Sequence, residues 1–444
     1  MNNLETSLAN CGTKVPQILL PKEDIDLTAW TVIACDQYTQ DEAYWQNVDK
    51  NTAGKPSTRH FIFPEIHLEK PGREERIQTI HQAMNDARKN ALFREAVPGF
   101  MYIERDTPWQ NGRKGLVVAV DLETYDWHPA ARPLIRATEG TVADRIPPRM
   151  EIRRGAPIES PHIILLVDDE EDLLFKAAQA AICREAPSYR VSLQAESGSL
   201  SGWAISEEPS LMAIAAALET LKARAQTRYG TNDTTPFLYA VGDGNHSLAT
   251  AKAVWDEYKA ANSTDPAIME HASRWALVEI ENIYDNAIAF EPIHRALFNT
   301  SIEEVLTAMA ALPGFKTKKM ETPAQLAALV EDEGLSTIRY GLFDGKDSIL
   351  IETQAHGVST EPLQGLLDDF VAAGKGRGID YLHGTEETLT VARRPAAVGI
   401  LLPPIGKADL FMTVAKTGPL PRKSFSMGEA AEKRFYLECR ELFV

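Results

Sequence analysis

Cysteine is scarce in this chain, and its few copies are dispersed. The four cysteines stand at positions 11, 35, 183 and 439, and no pair of them is close in sequence. Zinc sites and thiol redox centres need closely spaced cysteines, and small disulfide-stapled folds need many of them. The sequence therefore gives no sign of a disulfide framework, a cysteine-built zinc site or thiol redox chemistry.

Long apolar runs and an excess of positive charge are also missing. No run of 18 apolar residues occurs, and the first residues lack the basic and then apolar layout of a signal peptide. We therefore expect a cytoplasmic protein without a membrane span. The formal net charge of −17 disfavours a nucleic-acid backbone or an anionic membrane as a partner. The P-loop pattern GxxxxGK[ST] is absent as well.

Segments with strand and helix patterns alternate along the 444 residues. This alternation is typical of a mixed α/β or α+β fold, and the length predicts several subdomains. We predict an N-terminal and central α/β region over residues 1–300, which holds the candidate site, and a C-terminal α/β region over residues 301–444. Residues 132–154 are rich in arginine, contain Pro147-Pro148 and are predicted to form a loop. Residues 236–283 are predicted to form a right-handed βαβ unit.

The most informative stretch runs from Pro236 to Lys252. A run of strand formers ends at Gly242-Asp243-Gly244, and a helix pattern begins immediately afterwards. A strand that turns through glycine into a helix presents unpaired backbone N–H groups and the positive end of the helix dipole. Such a corner suits a bound anion, most often a phosphate.

Polar side chains crowd this corner. Asp243 could take a proton from a substrate hydroxyl or bind Mg²⁺, and His246 could contact a phosphate oxygen or exchange a proton. We therefore predict Asp243 and His246 as catalytic residues and Asp243 as a metal ligand. Four neighbours are predicted to bind phosphate or ligand: Gly242, Gly244, Asn245 and Ser247.

Two other interpretations of the corner stay open. It could be a tight turn in which Asp243 or Asn245 caps the helix and His246 only packs. It could also be a modified dinucleotide fingerprint, GxGxxS, with Glu279 or Glu281 placed to bind a ribose at the end of the next strand.

The corner resembles the Asp-Gly-His-His-Arg motif of a large uncharacterised prokaryotic protein family, a domain of unknown function. That family is related to free serine kinases and, more remotely, to the ParB/sulfiredoxin-like fold. Asn245 and Ser247 stand where the family has histidine and arginine. Further similar elements lie along the chain: Asp36 after an apolar run, Arg136 with Glu139, Thr141 and Arg145, Glu291-Pro-Ile-His294-Arg295, and the blocks 401–405 and 418–425.

The resemblance implies a ParB/sulfiredoxin-like core around a strand–loop–helix site, with a nucleotide and Mg²⁺ as cofactors. It implies phosphoryl transfer to a small hydroxylated metabolite. Asp36 joins the predicted catalytic residues, as a carboxylate that could pair with Asp243. Four more residues are predicted to bind phosphate or ligand, the last two from a loop-like position: Arg136, Arg145, His294 and Arg295.

Two functions remain open at this point. One is a kinase-like phosphotransferase acting on a small molecule. The other is a non-catalytic regulatory protein that binds a metabolite or nucleotide and could act through a partner or as a homodimer. The second is favoured by the loss of the motif arginine, because a guanidinium can bind a phosphate through two hydrogen bonds.

Overall fold

The computed structural model describes residues 3–229, 235–332, 334 and 336–443. Internal contacts divide the chain into two compact units. Unit 1 comprises Met1–Ala137, Thr141–Ile288 and Glu429–Val444, and unit 2 comprises Thr138–Gly140 and Ala289–Gly428. The change of unit thus falls after Ile288, where the sequence predicts a boundary near residue 300, and the last residues return to unit 1. Both units mix helices and sheets, which confirms the predicted mixed α/β class with more than one subdomain.

Unit 1 is built on one large sheet with helices packed against it. Its helices are α1 (Asn3–Asn10), α2 (Leu27–Trp30), α3 (Glu42–Thr52), α4 (Arg73–Lys89), α5 (Ile146–Arg153), α6 (Leu173–Ile182), α7 (Glu208–Arg228) and α8 (Asn245–Ala261). Its strands up to residue 282 are β1 (Thr13–Lys14), β2 (Gln17–Ile18), β3 (Val32–Ile33), β4 (Val97–Pro98), β5 (Phe100–Asp106), β6 (Arg113–Asp121), β7 (Tyr125–Asp126), β8 (Ile135–Ala137), β9 (Ile158–Glu159), β10 (Ile164–Val167), β11 (Tyr189–Ser192), β12 (Ser199–Ile205), β13 (Tyr239–Asp243) and β14 (Trp275–Asn282).

The strand order of the large sheet is β11-β12-β5-β6-β14-β10-β13-β8-β7, with β1 added beside β6. Apolar side chains of its inner strands alternate between two hydrophobic clusters. Val118 and Val120 belong to the cluster that includes Leu248 and Trp255 of α8, whereas Val117 belongs to the other cluster. Because successive side chains of a strand point to opposite faces, the sheet is buried on both sides here.

The predicted βαβ unit around the corner is wrong. Strand β10 lies between β13 and β14 and is antiparallel to β13 but parallel to β14. Strands β13 and β14 are therefore neither adjacent nor parallel. This arrangement also removes the dinucleotide-fingerprint interpretation, because a Rossmann unit needs parallel strands on either side of its helix. Sequence pattern alone could not reveal β10 as the strand inserted between them.

The loop predicted over residues 132–154 is wrong at β8 and again in its second half, where α5 forms. Pro147 and Pro148 occupy the first turn of that helix. Proline is tolerated there because the first N–H groups of a helix have no partner within it. The two prolines thus mark the start of a helix rather than its absence.

Unit 2 has a second sheet with its own helices. Its helices are α9 (Ile302–Met309), α10 (Pro323–Val330), α11 (Thr360–Ala372), α12 (Thr385–Ala392) and α13 (Lys407–Thr417). Its strands are β15 (Phe290–Phe298), β16 (Lys316–Met320), β17 (Arg339–Phe343), β18 (Ser348–Glu352), β19 (Ile379–His383), β20 (Ala397–Leu401) and β21 (Phe425–Met427). The order is β16-β18-β17-β20-β15-β19, with β21 paired to one end of β15.

The C-terminal segment of unit 1, residues 429–443, runs along that unit as short strands. β22 (Phe435–Tyr436) pairs with β3, and β23 (Arg440–Glu441) pairs with β9. The buried guanidinium of Arg434 anchors the segment, 2.7 Å from Glu279 and 2.5 Å from Glu438. This segment brings two side chains, Lys433 and Tyr436, to the corner described below.

Over the part of the chain that the structure describes, none of the helices has both the length and the apolar surface needed to cross a membrane.

Candidate functional site

The backbone of the corner depends on Gly244. This residue joins β13 to α8 with φ = 81°, and a Cβ placed on it would lie 3.1 Å from the Cα of Ile163. A residue with a side chain would therefore be strained and would push away the chain entering β10. The first hydrogen bond of α8 runs from Leu248 N to Gly244 O. The backbone N–H groups that precede Leu248 therefore have no acceptor within the helix, as expected for a helix start.

Asp243 ends β13 and faces a positive charge. Its Oδ1 accepts a hydrogen bond from Gly244 N at 3.1 Å. Its Oδ2 lies 3.7 Å from Nζ of Lys433, a buried lysine from the C-terminal segment. The corner therefore holds a carboxylate and an ammonium group side by side.

His246 lies in the first turn of α8 and is partly buried. Its Nε2 accepts a hydrogen bond from Val142 N at 3.3 Å. Burial, followed by the positive charges of Arg149 and Arg145, lowers the imidazole pKa to about 4, while Asp36 acts in the opposite direction. The imidazole is therefore neutral at pH 7, with Nδ1 as its N–H donor, and it sits in a positive electrostatic field.

The two arginines that act on His246 differ in their own partners. Arg149 Nε donates to Glu65 Oε1 at 2.8 Å, and its Nη1 donates to the carbonyl of Arg145 at 2.6 Å. Arg145 is exposed, and its guanidinium forms no hydrogen bond or ion pair with any residue that the structure describes. Arg145 is thus the cation available to an incoming anion.

Asp36 follows β3 and is partly buried. Its Oδ1 accepts a hydrogen bond from Gln37 Nε2 at 3.0 Å. Its carboxylate is close enough to His246 to raise the pKa of that imidazole. The structure therefore brings Asp36 toward His246, whereas Asp243 has Lys433 as its charged neighbour.

Ser247 belongs to a hydrogen-bonded chain of side chains that sequence reasoning missed. Its Oγ lies 2.7 Å from Nε2 of His162, whose Nδ1 lies 2.7 Å from the hydroxyl of Tyr436. That hydroxyl oxygen in turn accepts a hydrogen bond from Cys35 N at 3.2 Å. The sequence predicts a strand over residues 162–167, and a histidine at its first position was the signal available for His162. The sequence held no signal that Tyr436 joins these residues, because Tyr436 lies 274 residues after His162.

Arg136, predicted to bind phosphate, is not brought to the corner. It lies on β8 opposite Ala240, three residues before Asp243 on β13. Its guanidinium stacks 4.8 Å from the ring centroid of Phe237 and donates to the carbonyls of Pro133 and Thr235. These contacts engage Arg136 in packing.

His294 and Arg295 belong to unit 2 and are buried there. They lie on β15, between β20 and β19, so the predicted loop-like position is wrong. His294 Nδ1 accepts from Leu402 N at 3.1 Å, and its Nε2 lies 3.3 Å from Oγ1 of Thr385. Arg295 donates to Gln364 and to the carbonyl of Ile293. His294 is thus satisfied within unit 2, and Arg295 is held there through Nε and Nη1, whereas its buried Nη2 has no hydrogen-bond partner among the described residues.

Glu139, from the central family-like element, also belongs to unit 2. Its carboxylate accepts a hydrogen bond from Ser424 N at 3.0 Å and is also hydrogen-bonded by the backbone of Lys423 and Phe425. Burial raises the pKa of Glu139 despite these bonds. Two of the family-like elements, near residues 139 and 423, therefore meet in unit 2.

A protein-built metal cluster is not found among the described residues, which contain no group of three or more histidine, cysteine, aspartate or glutamate side chains suited to an ion. Mg²⁺ usually keeps several waters and binds through one or two carboxylates together with substrate phosphates. The partly exposed carboxylate of Asp243 fits that mode of binding.

The fold and corner define a mixed α/β protein of two units with an anion-suited strand–helix corner in unit 1. Residues 17–369 match the family described as "Protein of unknown function (DUF1015)". The chain belongs to this family, which confirms the resemblance drawn from its motifs. The match does not extend to the C-terminal segment that carries Lys433 and Tyr436.

Several solved structures are weakly similar to this chain. A mutant free serine kinase in complex with ADP is 11% identical, with a TM-score of 0.38, and the match covers 76% of this chain and 95% of that one. A conserved hypothetical protein from Pyrococcus furiosus is 12% identical, with a TM-score of 0.34 and coverage of 72% and 90%. SbnI with a C-terminal truncation, from Staphylococcus aureus, is 9% identical, with a TM-score of 0.34 and coverage of 72% and 82%. No curated protein matches the chain.

Proposed function

We propose that this protein is a phosphotransferase that binds a nucleotide at the corner of unit 1 and transfers a phosphoryl group to a small hydroxylated metabolite. One observation carries the proposal: a neutral His246, at the start of a helix, in the field of Arg145 and Arg149. Burial is the main reason that this imidazole is unprotonated, and the positive charges add to it. Those charges also attract an anion, and the helix start supplies N–H donors for it.

Each corner residue then has a chemical role. A phosphate would accept hydrogen bonds from the amides of the first turn of α8 and from His246 Nδ1, with Arg145 as its counter-charge. The added negative charge would raise the pKa of His246 and make it a proton donor. Asp243 would accept the proton of the attacking hydroxyl, and Lys433 would face the transferred group.

The proposed Mg²⁺ would be held by Asp243 together with the phosphates of the nucleotide. When bound, such an ion neutralises charge that develops on the phosphate oxygens. Asp36, which acts on His246, is the second carboxylate of the proposed site. The predicted ParB/sulfiredoxin-like core and homodimer remain predictions, and sedimentation velocity at several protein concentrations tests the latter.

A second function is supported by the residues Asn245 and Ser247. They stand where the family motif has histidine and arginine, so this chain lacks one phosphate-binding guanidinium. A protein that binds a nucleotide and signals its presence needs less transition-state stabilisation than an enzyme does. We therefore keep a non-catalytic nucleotide-binding regulator as the alternative.

Single-turnover reactions with ATP, Mg²⁺ and a pool of hydroxylated metabolites separate these functions. We expect a phosphorylated product that Asp243→Asn abolishes, because asparagine cannot take up the proton. Asp256→Asn is the matched control, since Asp256 lies on the exposed side of the same helix and pairs with Lys252. Nucleotide binding without product would favour the regulator, and absence of nucleotide binding would contradict both functions.

A further inference from the structure

We propose that Ser247 is a nucleophilic serine, that His162 is its general base, and that Tyr436 holds the histidine in the reactive orientation. The natural reagent would be a phosphoric anhydride, so this part of the inference rests on the proposed function. The nucleophilic character of the serine can be tested separately from it.

The geometry matches that of an activated nucleophile. Ser247 Oγ lies 2.7 Å from His162 Nε2, within the range of a nucleophile paired with its base. A third group, the Tyr436 hydroxyl, lies 2.7 Å from the other ring nitrogen. Ser247 and His162 are partly exposed, whereas Tyr436 is buried. Ser247 and His162 are thus accessible to a reagent, and the tyrosine that orients His162 is fixed in the core.

The proposed base needs Nε2 of His162 as a hydrogen-bond acceptor. The phenol oxygen of Tyr436 accepts a hydrogen bond from Cys35 N and lies 2.7 Å from His162 Nδ1. This oxygen has a second lone pair, so it can also accept Nδ1–H of His162. We assign that tautomer to the proposed base, with Nε2 left to accept the Ser247 hydroxyl.

Two features of the chain bring these residues together. The close approach of Gly244 to Ile163 places residue 162 beside the first turn of α8. The C-terminal segment, anchored through Arg434, delivers Tyr436. Ser247 stands where the family motif has arginine, so the proposed nucleophile is a property of this chain rather than of the motif.

The reaction balances in two steps. Ser247 Oγ attacks the terminal phosphorus and forms an O–P bond, the anhydride P–O bond breaks, the diphosphate leaves with the bonding electrons, and the serine proton passes to His162 Nε2. The acceptor hydroxyl then attacks the phosphoserine and forms a new O–P bond, while the serine O–P bond breaks. The proton of the acceptor hydroxyl passes to Asp243 and from there to water, and Ser247 regains its proton from His162. The α8 amides and Arg145 face the charged oxygens in both steps.

A fluorophosphonate reagent tests the nucleophile directly, because it phosphonylates activated serines with loss of fluoride. We expect full-length protein to gain one adduct, mapped by mass spectrometry to Ser247. Ser247→Ala should abolish the adduct, and His162→Gln should slow its formation by about 100-fold or more, the usual contribution of a general base. Tyr436→Phe should slow it less, since it removes only the orienting hydroxyl.

Matched controls separate this role from a structural one. Ser201→Ala removes a partly exposed serine that contacts Arg190 rather than a histidine, and His81→Gln removes a histidine bonded to the carbonyl of Ile152. Both should be labelled at the wild-type rate. The inference is overturned if His162→Gln and Tyr436→Phe, each with the wild-type melting temperature, are labelled as fast as wild type, or if the adduct lies on another serine.

A second arm uses ATP with Mg²⁺ and searches for phosphoserine at position 247. Its appearance in wild type and its absence in His162→Gln would support the covalent step. Phosphorylated metabolite formed by Ser247→Ala would overturn the covalent step while leaving the proposed function intact. Labelling of Ser247 by the fluorophosphonate in a protein that binds no nucleotide would contradict the proposed function and retain the nucleophile.

Discussion

Two histidines of this chain, one in each unit, both have a pKa lowered to about 4, but their surroundings differ. His246 in unit 1 is partly exposed, keeps Nδ1–H available and owes part of its shift to Arg149 and Arg145. His294 in unit 2 is buried, and both of its ring nitrogens have partners. A low pKa alone therefore does not identify a functional histidine. Neighbouring positive charge lowers both pKa values, through Arg149 and Arg145 at His246 and through Arg295 and His383 at His294. What distinguishes His246 is access for a ligand.

The two histidines should differ most in what their removal does to stability. His294→Ala leaves the buried Leu402 N–H without its acceptor, which costs about 1–3 kcal/mol of unfolding free energy. His246→Ala should cost less, because its partner, Val142 N, is near the surface. Chemical denaturation measures both, with His356→Ala, an exposed histidine of unit 2, as the control. Equal losses for the two variants would show that His246 is also a packing residue.

The second-largest expected effect is a dependence of the unfolding free energy on pH. A histidine that titrates near 6.5 when unfolded but near 4 when folded binds its proton first in the unfolded state. Stability should therefore be complete above about pH 6.5 and should fall as the pH decreases toward 4, by up to about 1.4 kcal/mol per pH unit for each such group. Denaturation curves of wild type and His294→Phe at several pH values test this. An unchanged slope in the variant would argue against the depressed pKa of His294.

A third effect concerns the positive charges of Arg145 and Arg149 beside His246, which lies where an incoming anion can reach it. Arg145→Ala should weaken ADP binding about tenfold, since a charge-assisted hydrogen bond contributes roughly 1.5–3 kcal/mol and this arginine is exposed. Arg154→Ala, which removes an exposed arginine already paired with Glu257, is the control. Calorimetric titration gives both affinities. If only the Arg154→Ala control lost affinity for ADP, the phosphate would have to bind away from Arg145.

The smallest expected effect is a change in the pKa of His246. Inorganic phosphate should raise this pKa, by about one unit for roughly 1.4 kcal/mol of added interaction with the imidazolium. His294 should not respond, because it is buried and both of its ring nitrogens are engaged. NMR titration of the two imidazoles, with and without phosphate, provides the measurement, and a parallel response of both histidines would contradict the assignment.

The sequence was most informative where local rules determine the structure. The glycine at position 244, the helix after it and the family resemblance all follow from short-range pattern, and the structure bears out that local course of the chain. The sequence failed where distant segments meet. Strand β10 is inserted beside β13, and the C-terminal segment brings Lys433 and Tyr436 to the corner. A local sequence pattern encodes neither of these arrangements.

Polarity was also a poor guide to exposure. Arg136, His294 and Arg295 look like surface ligands in the sequence, yet each is buried and contacts carbonyls, side chains or an aromatic ring. Pro147-Pro148 suggested a loop although proline fits the first turn of a helix. Such positions can be interpreted only when the partners of each side chain are known.

A crystal structure of the protein soaked with ADP would show whether the corner of unit 1 binds phosphate. We expect phosphate density within hydrogen-bond distance of the His246 and Ser247 amides, with the Arg145 guanidinium turned toward it. Density confined to another surface at saturating ADP, with these three groups unchanged, would contradict the proposed site.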